Sequence, residues 1–418
     1  MAAAPAWWAT PTLSPCCCRR CYDCCSGRAE RVAAPEPART LRVLVCPQEF
    51  KGSLTAAEAA RAIAEGVRRA LPDAAIEQLP MADGGPGTLD IACAAAHGEL
   101  VEGRASGPLG EPLRARWALL PGGRALAEAA ATAGLLLTPE RERDPARAST
   151  RGVGEQIAQA LRRGVREIVT GVGGTGTNDG GAGALAALGY RILDAAGAAL
   201  GPGGLALARL ARIDASAATR FGAGAPVVRV AVDVTNPLLG PHGATLLYGP
   251  QKGVTPQLAP RLEAALAHWA ECCRRDLGVA IAELEGGGAG GGLAAGLAAA
   301  GATIEGGAAL VGGLIGLPAR IAAADLVVTG EGRLDAQTAY GKSVAYVAAL
   351  AREARRRCVA VAGSIEAWPD GIADAEAAAP AALPLAQAMR RAPELVAAAA
   401  ERLARRAAGG IDARGTRP

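Results

Sequence analysis

Lysine is almost absent from this chain of 418 residues: only three of its 44 basic residues are lysine, and only two residues are asparagine. Phenylalanine, tyrosine and isoleucine are also scarce, and aromatics make up 3%. Alanine, glycine, arginine and proline take their place, as when a genome's base composition favours one set of codons. Large cores must then be built from Ala, Leu and Val. Three histidines leave little room for a catalytic triad, and no serine has a base placed beside it. The pattern G-x-x-x-x-G-K-[ST] does not occur, so a nucleotide would have to be held by something other than a Walker A loop. Long apolar runs are missing too. Residues 286–316 are mostly Gly and Ala and carry Glu305, which is too weakly hydrophobic to span a membrane. The net charge of +4, with basic residues spread along helices, does not imply a nucleic-acid partner.

Cysteine is plentiful but uneven. Six of the eleven lie in C-C-C-R-R-C-Y-D-C-C (16–25), where Cys18, Cys21 and Cys24 have a spacing compatible with zinc. No histidine is near and residues 1–40 show no core pattern. The segment reads as a disordered extension; upstream sequence read as protein, or a targeting segment, stays open. The remaining cysteines are scattered like alanines, which points to a reducing, cytoplasmic setting.

The folded part begins near Leu41. L-R-V-L-V-C-P (41–47) is a buried-strand pattern that stops at proline. A loop follows, then a helix opened by Ser53 or Thr55, with Glu58 completing a capping box. A-I-E-Q-L-P (75–80) is a second strand, then come M-A-D-G-G-P-G-T and another helix. This is βαβα grammar, hence a parallel sheet. The last third repeats it: the strand D-L-V-V-T-G (325–330), a helix over 342–355, and the strand C-V-A-V-A-G-S. The expected fold is α/β, with one parallel-sheet domain made from both chain ends (41–100 and 291–408), a second α/β domain inserted over 101–290, and a tail at 409–418.

In such sheets ligands bind at the carboxyl ends of strands. The three lysines, Lys51, Lys252 and Lys342, each stand beside glycine in such loops. Lys51 with the amides of Gly52 and Ser53 suggests an anion-binding mouth. G-V-G-G-T-G-T-N-D-G-G-A-G (171–183) would let backbone at Gly173, Gly174 and Thr175 approach a phosphate, with Asn178 beside it. Asp83, Asp179, Asp233, Glu331 and Asp335 lie in or next to these loops. Lysines, glycine loops and carboxylates together suit a magnesium–nucleotide site. A rival pattern exists: Gly171, Gly173 and Gly176 with Asp194 match a dinucleotide fingerprint. Asp179 would sit against the pyrophosphate, and Gly180, Gly181 and Gly183 would weaken the required helix.

These motifs together resemble the two-domain bacterial glycerate kinases. The carrying residues are F-K-G-S-L-T-A (50–56), L-P-M-A-D-G-G-x-G-T (79–88), the 171–183 loop, N-P-L-L-G-P-H-G-A (236–244), G-P-Q-K-G (249–253) and T-G-E-G-R-L-D-x-Q-T-x-x-G-K (329–342). The resemblance covers about 41–405. It implies a Rossmann-like domain with an insertion, and transfer of the γ-phosphoryl of ATP, with Mg2+, to the 2-hydroxyl of D-glycerate, giving 2-phosphoglycerate. The site residues it leads us to expect are Lys51, Asp179, Asp233 and Asp335 for catalysis, with Asp179 and Asp233 on the metal. Ser53, Asp83, Asn178, Arg333 and Lys342 are expected on the substrate, and Gly173, Gly174, Thr175, Lys252 and Glu331 on the nucleotide. Monomer and homodimer both stay open. Two positions depart from the pattern: Gln48 stands where the first loop usually has Asp, and Pro86 where the second usually has Glu. The alternative is therefore an impaired homologue that binds ligands or regulates.

Overall fold

The computed structural model describes residues 39–335 and 343–409; Lys342 and the cysteine-rich stretch 16–25 lie outside them. Thirteen strands are present among the described residues: β1 (Arg42–Val45), β2 (Ala75–Gln78), β3 (Glu99–Ser106), β4 (Pro112–Leu120), β5 (Arg124–Glu128), β6 (Glu167–Gly171), β7 (Arg191–Leu193), β8 (Arg212–Asp214), β9 (Val227–Val232), β10 (Thr303–Gly306), β11 (Leu326–Leu334), β12 (Arg357–Ile365) and β13 (Ile372–Ala377).

The first sheet has the order β13-β12-β11-β1-β2 and is parallel throughout. It is built from both chain ends, as expected. The second has the order β10-β9-β6-β5-β4-β3. Its β10, β9, β6 and β5 run parallel, while β4 and β3 close it as an antiparallel edge. It draws on residues 99–306, so a division at 290 would cut β10 from its sheet. β7 and β8 form a separate antiparallel ribbon.

Strand alternation explains the layering. Val43 and Val45 point to one side of the first sheet, into a core with the helices Ala56–Ala70 and Ala392–Ala408. Leu44 and Cys46 point to the other side, into a core that also takes Ala118, Leu126, Val169 and Ala231 from the second sheet. The helices Thr88–Ala95, Gly307–Leu314 and Ser343–Glu353 lie in that shared middle layer. The far side of the second sheet packs on Arg151–Arg162, Ala259–Leu277 and Leu293–Ala299. Five layers result, and the described chain from Thr40 onward is one compact unit. None of its helices is long and apolar enough to cross a membrane.

The helix Ala56–Ala70 begins where the capping box places it. Thr55 N–H donates to Glu58 Oε2 at 2.9 Å and Glu58 N–H to Thr55 Oγ1 at 3.3 Å. Its partner lies unusually close, because Gly66 allows it. A methyl group at Gly66 would sit 2.0 Å from Ala397 O and 2.8 Å from Ala400 Cβ. Backbone cannot yield as a side chain can, so the two helices would have to separate. Gly66→Ala, although better for isolated helix formation, is expected to destabilise the protein by about 1–3 kcal/mol. Denaturant midpoints of the two proteins check this, and an unchanged or raised midpoint would refute the close packing.

Candidate active site

Five loops at carboxyl ends of parallel strands meet between the two sheets. The first leaves β1. Cys46 N–H and Gln48 N–H continue the ladder to Val328 O and Gly330 O, both at 2.8 Å. A tight turn follows, in which Phe50 and Leu54 pair and Gly52 has a φ of 77°. Lys51 stands exposed at its tip, against the last residues of β11, which runs past the expected end at Gly330: a methyl on Gly332 would lie 3.2 Å from Lys51 N. Of the two amides expected to form an anion-binding mouth with Lys51, that of Ser53 is engaged within the turn. Ser53 N–H and Oγ–H both donate to Phe50 O, at 2.8 and 2.9 Å, and Glu58 already occupies the helix start.

The second loop carries Asp83, and it rests on the second sheet with backbone against backbone. Methyl groups at Gly171 and Gly173 would lie 2.5 Å from Gly84 O and 2.8 Å from Gly85 Cα, and one at Gly84 would lie 2.9 Å from Ala231 O. Gly173 N–H donates to Gly84 O at 3.2 Å, and Pro86 packs on Gly174. From β5, the buried carboxylate of Glu128 faces the amides of Gly87, Thr88 and Leu89 at the start of the next helix. Burial pushes Glu128 above the usual carboxylate range, and those amides oppose the push.

Asp83 is the perturbed group of the cleft. Gln48 Nε2 donates to its Oδ2 at 2.7 Å, and Gly85 N–H reaches Oδ1 at 3.4 Å. Loss of solvent, then repulsion from Asp233 and Glu49, raise it to about 6. A cavity of about 290 Å³ opens beside it, lined among others by Gln48, Glu49, Thr55, Met81 and Pro86. Asp233 lies just past the end of β9 and also acts on Tyr248, whose hydroxyl donates to Asn236 Oδ1 at 2.6 Å. On the third side, at the end of β11, Arg333 pairs with Glu366 at 2.6 Å and with Asp335 at 3.3 Å, beside half-buried Glu331. Thus Lys51, Ser53, Asp83, Asp233, Glu331, Arg333 and Asp335 are brought to this end of the sheets, with Gly173 and Gly174 at the junction.

Other expected residues lie elsewhere. Asp179, expected on metal and in catalysis, is 1% exposed and accepts from Thr150 N–H, Thr150 Oγ1–H, Gly181 N–H and Gly183 N–H at 2.8–3.2 Å. Burial raises it, and those four donors hold it down. It borders a different cavity, of about 560 Å³, with Ser149, Arg151 and Tyr190. Asn178 is fully buried and donates to Thr245 Oγ1 at 3.1 Å. Thr175 is buried and pairs with Gly134. Lys252, expected on the nucleotide, is 3% exposed, and its Nζ donates to Thr177 O at 2.8 Å. The glycines from 176 to 183 do not cradle a phosphate. Protein fills the space their missing side chains leave: Leu135 at Gly176, Trp269 at Gly180, Gly296 at Gly181 and Ser149 at Gly183. Asp194 closes a turn by accepting from Ala196 N–H and Ala198 N–H, and β7, which precedes it, lies outside the parallel sheet, so the dinucleotide fingerprint is not realised.

Three residues escaped the sequence reading: Glu128, Tyr248 and Trp269, whose Nε1–H holds Gly180 O at 3.0 Å. Glu128 had a usable signal, as the one acid in the apolar run R-A-L-A-E-A-A. Lys252 offers a test of the interior. Burial pushes its ammonium down to about 8, with the charge of Asp179 opposing. The folded state thus disfavours its charged form fully below about pH 8, and the penalty disappears as pH passes the ordinary lysine value of about 10.4. Relative to Lys252→Met, the native protein is expected to gain stability over that window. Unfolding midpoints at several pH values check it, and a difference that does not change with pH would mean a solvated lysine.

Comparison with known proteins agrees with this geometry. The model of the glycerate kinase family matches residues 43–408. The glycerate kinase of Bacillus subtilis (strain 168) is 40% identical over 378 residues, covering 89% of this chain and 98% of its own. The glycerate 2-kinase of Escherichia coli (strain K12) is 41% identical over 327 residues, covering 78% and 86%. A crystal structure of a putative glycerate kinase 2 from Salmonella typhimurium LT2 superposes with a TM-score of 0.79 at 40% identity, covering 89% of this chain and 99% of that one. With its sheets, its loop motifs and nearly its whole length matched, the chain belongs to the glycerate kinase family and is a small-molecule kinase.

Proposed function

We propose that this kinase transfers the γ-phosphoryl of ATP to the 2-hydroxyl of D-glycerate, giving 2-phosphoglycerate and ADP, in the cytoplasm. The observation that carries the reading is Asp83: a carboxylate in the cleft, beside a cavity, raised to about 6. A base does best when its proton affinity lies near the working pH. In this reading the hydroxyl oxygen forms a bond to the γ-phosphorus as the bond to the β,γ-bridging oxygen breaks. Asp83 takes the hydroxyl proton. Lys51, on its exposed turn, meets the transferred phosphoryl as a compact charge, and Arg333 exchanges a carboxylate partner for that of glycerate. Support for the 2-position comes from the relative named a glycerate 2-kinase.

Magnesium accompanies nucleotides in kinases, where it offsets charge between the β- and γ-oxygens. The pair first assigned to it does not fit, because Asp179 is saturated by four donors inside the second sheet's layer. Among the described residues no three acidic, histidine or cysteine side chains stand close enough to hold a metal ion.

Coupled turnover of the full chain with ATP, magnesium and D-glycerate, with the product isomer identified, tests the reading. Rates of about 1–100 s⁻¹ giving 2-phosphoglycerate are expected. Binding of ATP or glycerate without turnover would instead mark an impaired homologue. Asp83→Asn separates catalysis from stability. Its kcat/KM is expected to fall by about 10²–10⁴. Because the folded state raises the proton affinity of Asp83, its charge opposes folding above about pH 6, and this opposition is gone below about pH 4. The variant should therefore be more stable than the native protein near pH 8 and no more stable near pH 4. Thermal midpoints at both pH values, with the kinetics, decide it.

A further inference from the structure

Gln48 has an arrangement that packing alone does not explain. Its Nε2 is committed to Asp83 Oδ2 at 2.7 Å, while its Oε1 is buried and has no hydrogen-bond partner. The amide cannot be turned round to mend this, because an ionised carboxylate accepts hydrogen bonds and donates none. An orphaned buried acceptor costs about 1–3 kcal/mol. A merely structural position would be better filled by an apolar side chain of the same shape. The fold keeps an amide here, and what the amide gains is one bond, to the carboxylate in the cleft.

That bond leaves the two oxygens of Asp83 unequal. Oδ2 is tied to Gln48 at 2.7 Å, while the Gly85 N–H contact to Oδ1 is long, 3.4 Å, and the backbone amide of Asp83 itself lies beside the carboxylate. We propose that Gln48 is a positioning residue for the reaction: its amide fixes the Asp83 carboxylate through Oδ2, steadies its charged form, and leaves Oδ1 as the oxygen that receives the substrate's hydroxyl proton. The inference rests on the kinase reading and deepens it.

The groups around Asp83 agree. The charged side chains that act on it are Asp233, from the end of β9, and Glu49, from the loop of Gln48 itself; Asp90 borders the same cavity. Asp233 and Glu49 disfavour a charged Asp83, while Asp90 is paired with Arg116 at 3.3 Å. The loop at Gly171–Gly174 and the helix Gly307–Leu314, which both pack on this segment, carry no titratable side chain. The backbone amides of Gly85 and of Asp83 itself favour the charged form, and the Gln48 amide makes the short side-chain bond, 2.7 Å against 3.4 Å from Gly85 N–H.

The test uses the full chain with Gln48→Met and Gln48→Glu. Carbon-13 labelling of aspartate follows the titration of Asp83 directly, identified by its loss in Asp83→Asn, and kcat/KM is measured over the same pH range. With Gln48→Met, the donor and the orphaned oxygen both go. The titration and the acid limb of kcat/KM should move up together by about half a pH unit or more, a loss of about threefold on the limb, with no loss of thermal stability. Gln48→Glu puts a carboxylate opposite Asp83 and should move both further up; it also serves if Gln48→Met folds poorly. The proposal is overturned if either variant leaves the titration of Asp83 in place, or if Gln48→Met loses stability and rate with no change in pH profile. A shifted titration with no glycerate turnover in any variant, native included, would preserve the Gln48–Asp83 coupling and remove the glycerate kinase reading.

Discussion

The loop of residues 82–88 lies on the ends of β6 and β9 at a distance only backbone can reach. Gly171, Gly173 and Gly84 remove the side chains that would hold the two sheets apart, and Gly307 does the same beneath Asp83, where a methyl would lie 1.7 Å from its carbonyl oxygen. Loops normally tolerate change because little packs on them. Here the loop is a joint between two sheets, and Asp83 sits in the middle of it. Its distance from Asp233, its loss of solvent and its access to the 290 Å³ cavity all follow from how closely those backbones approach.

Three desolvated carboxylates show how burial is turned to different ends. Burial raises all three, Glu128, Asp83 and Asp179. Asp179 is satisfied by four donors and ties the start of the helix Arg151–Arg162 to the glycine loop. Glu128 faces the amides of a helix start, and its Oε1 is buried without a partner among the described residues. Asp83 has one short bond and two acidic neighbours. A group held by many donors is fixed in charge and place, and so is structural. One that is desolvated and repelled by acidic neighbours can gain and lose a proton near neutral pH. Asp179 is set apart by its four donors; Glu128 keeps its unpartnered Oε1, and Asp83 lies against two acidic side chains.

Much of this was legible in the residues. Parallel strands ending in proline or glycine, the Thr55–Glu58 box, and a sheet formed from both chain ends follow from local pattern and chain order. So does the gathering of Lys51, Asp83, Asp233 and the 331–335 loop, because carboxyl ends of parallel strands lie on one edge. The roles of Lys252, Asn178 and Asp179 were not legible. Lys252 beside glycine reads as a nucleotide contact, yet it is buried and bonded to a carbonyl 75 positions away. A run of glycines reads as an open cradle, yet Trp269, Leu135 and Gly296 approach it from distant segments. Sequence tells that side chains are missing; only the fold tells whether a ligand or the protein fills the space.

The two departures from the family pattern illustrate the same point from the other direction. By sequence, Gln48 and Pro86 are carboxylates lost from a cleft. In the structure each has a specific contact: Gln48 holds Asp83 Oδ2, and Pro86 packs on Gly174 across the joint. The cleft already holds Glu49, Asp83, Asp90 and Asp233, and a further carboxylate in this loop would add to the repulsion that Asp83 already meets. The amide thus meets Asp83 without adding a charge, and the proline, which has a fixed φ, stiffens the turn that carries Asp83.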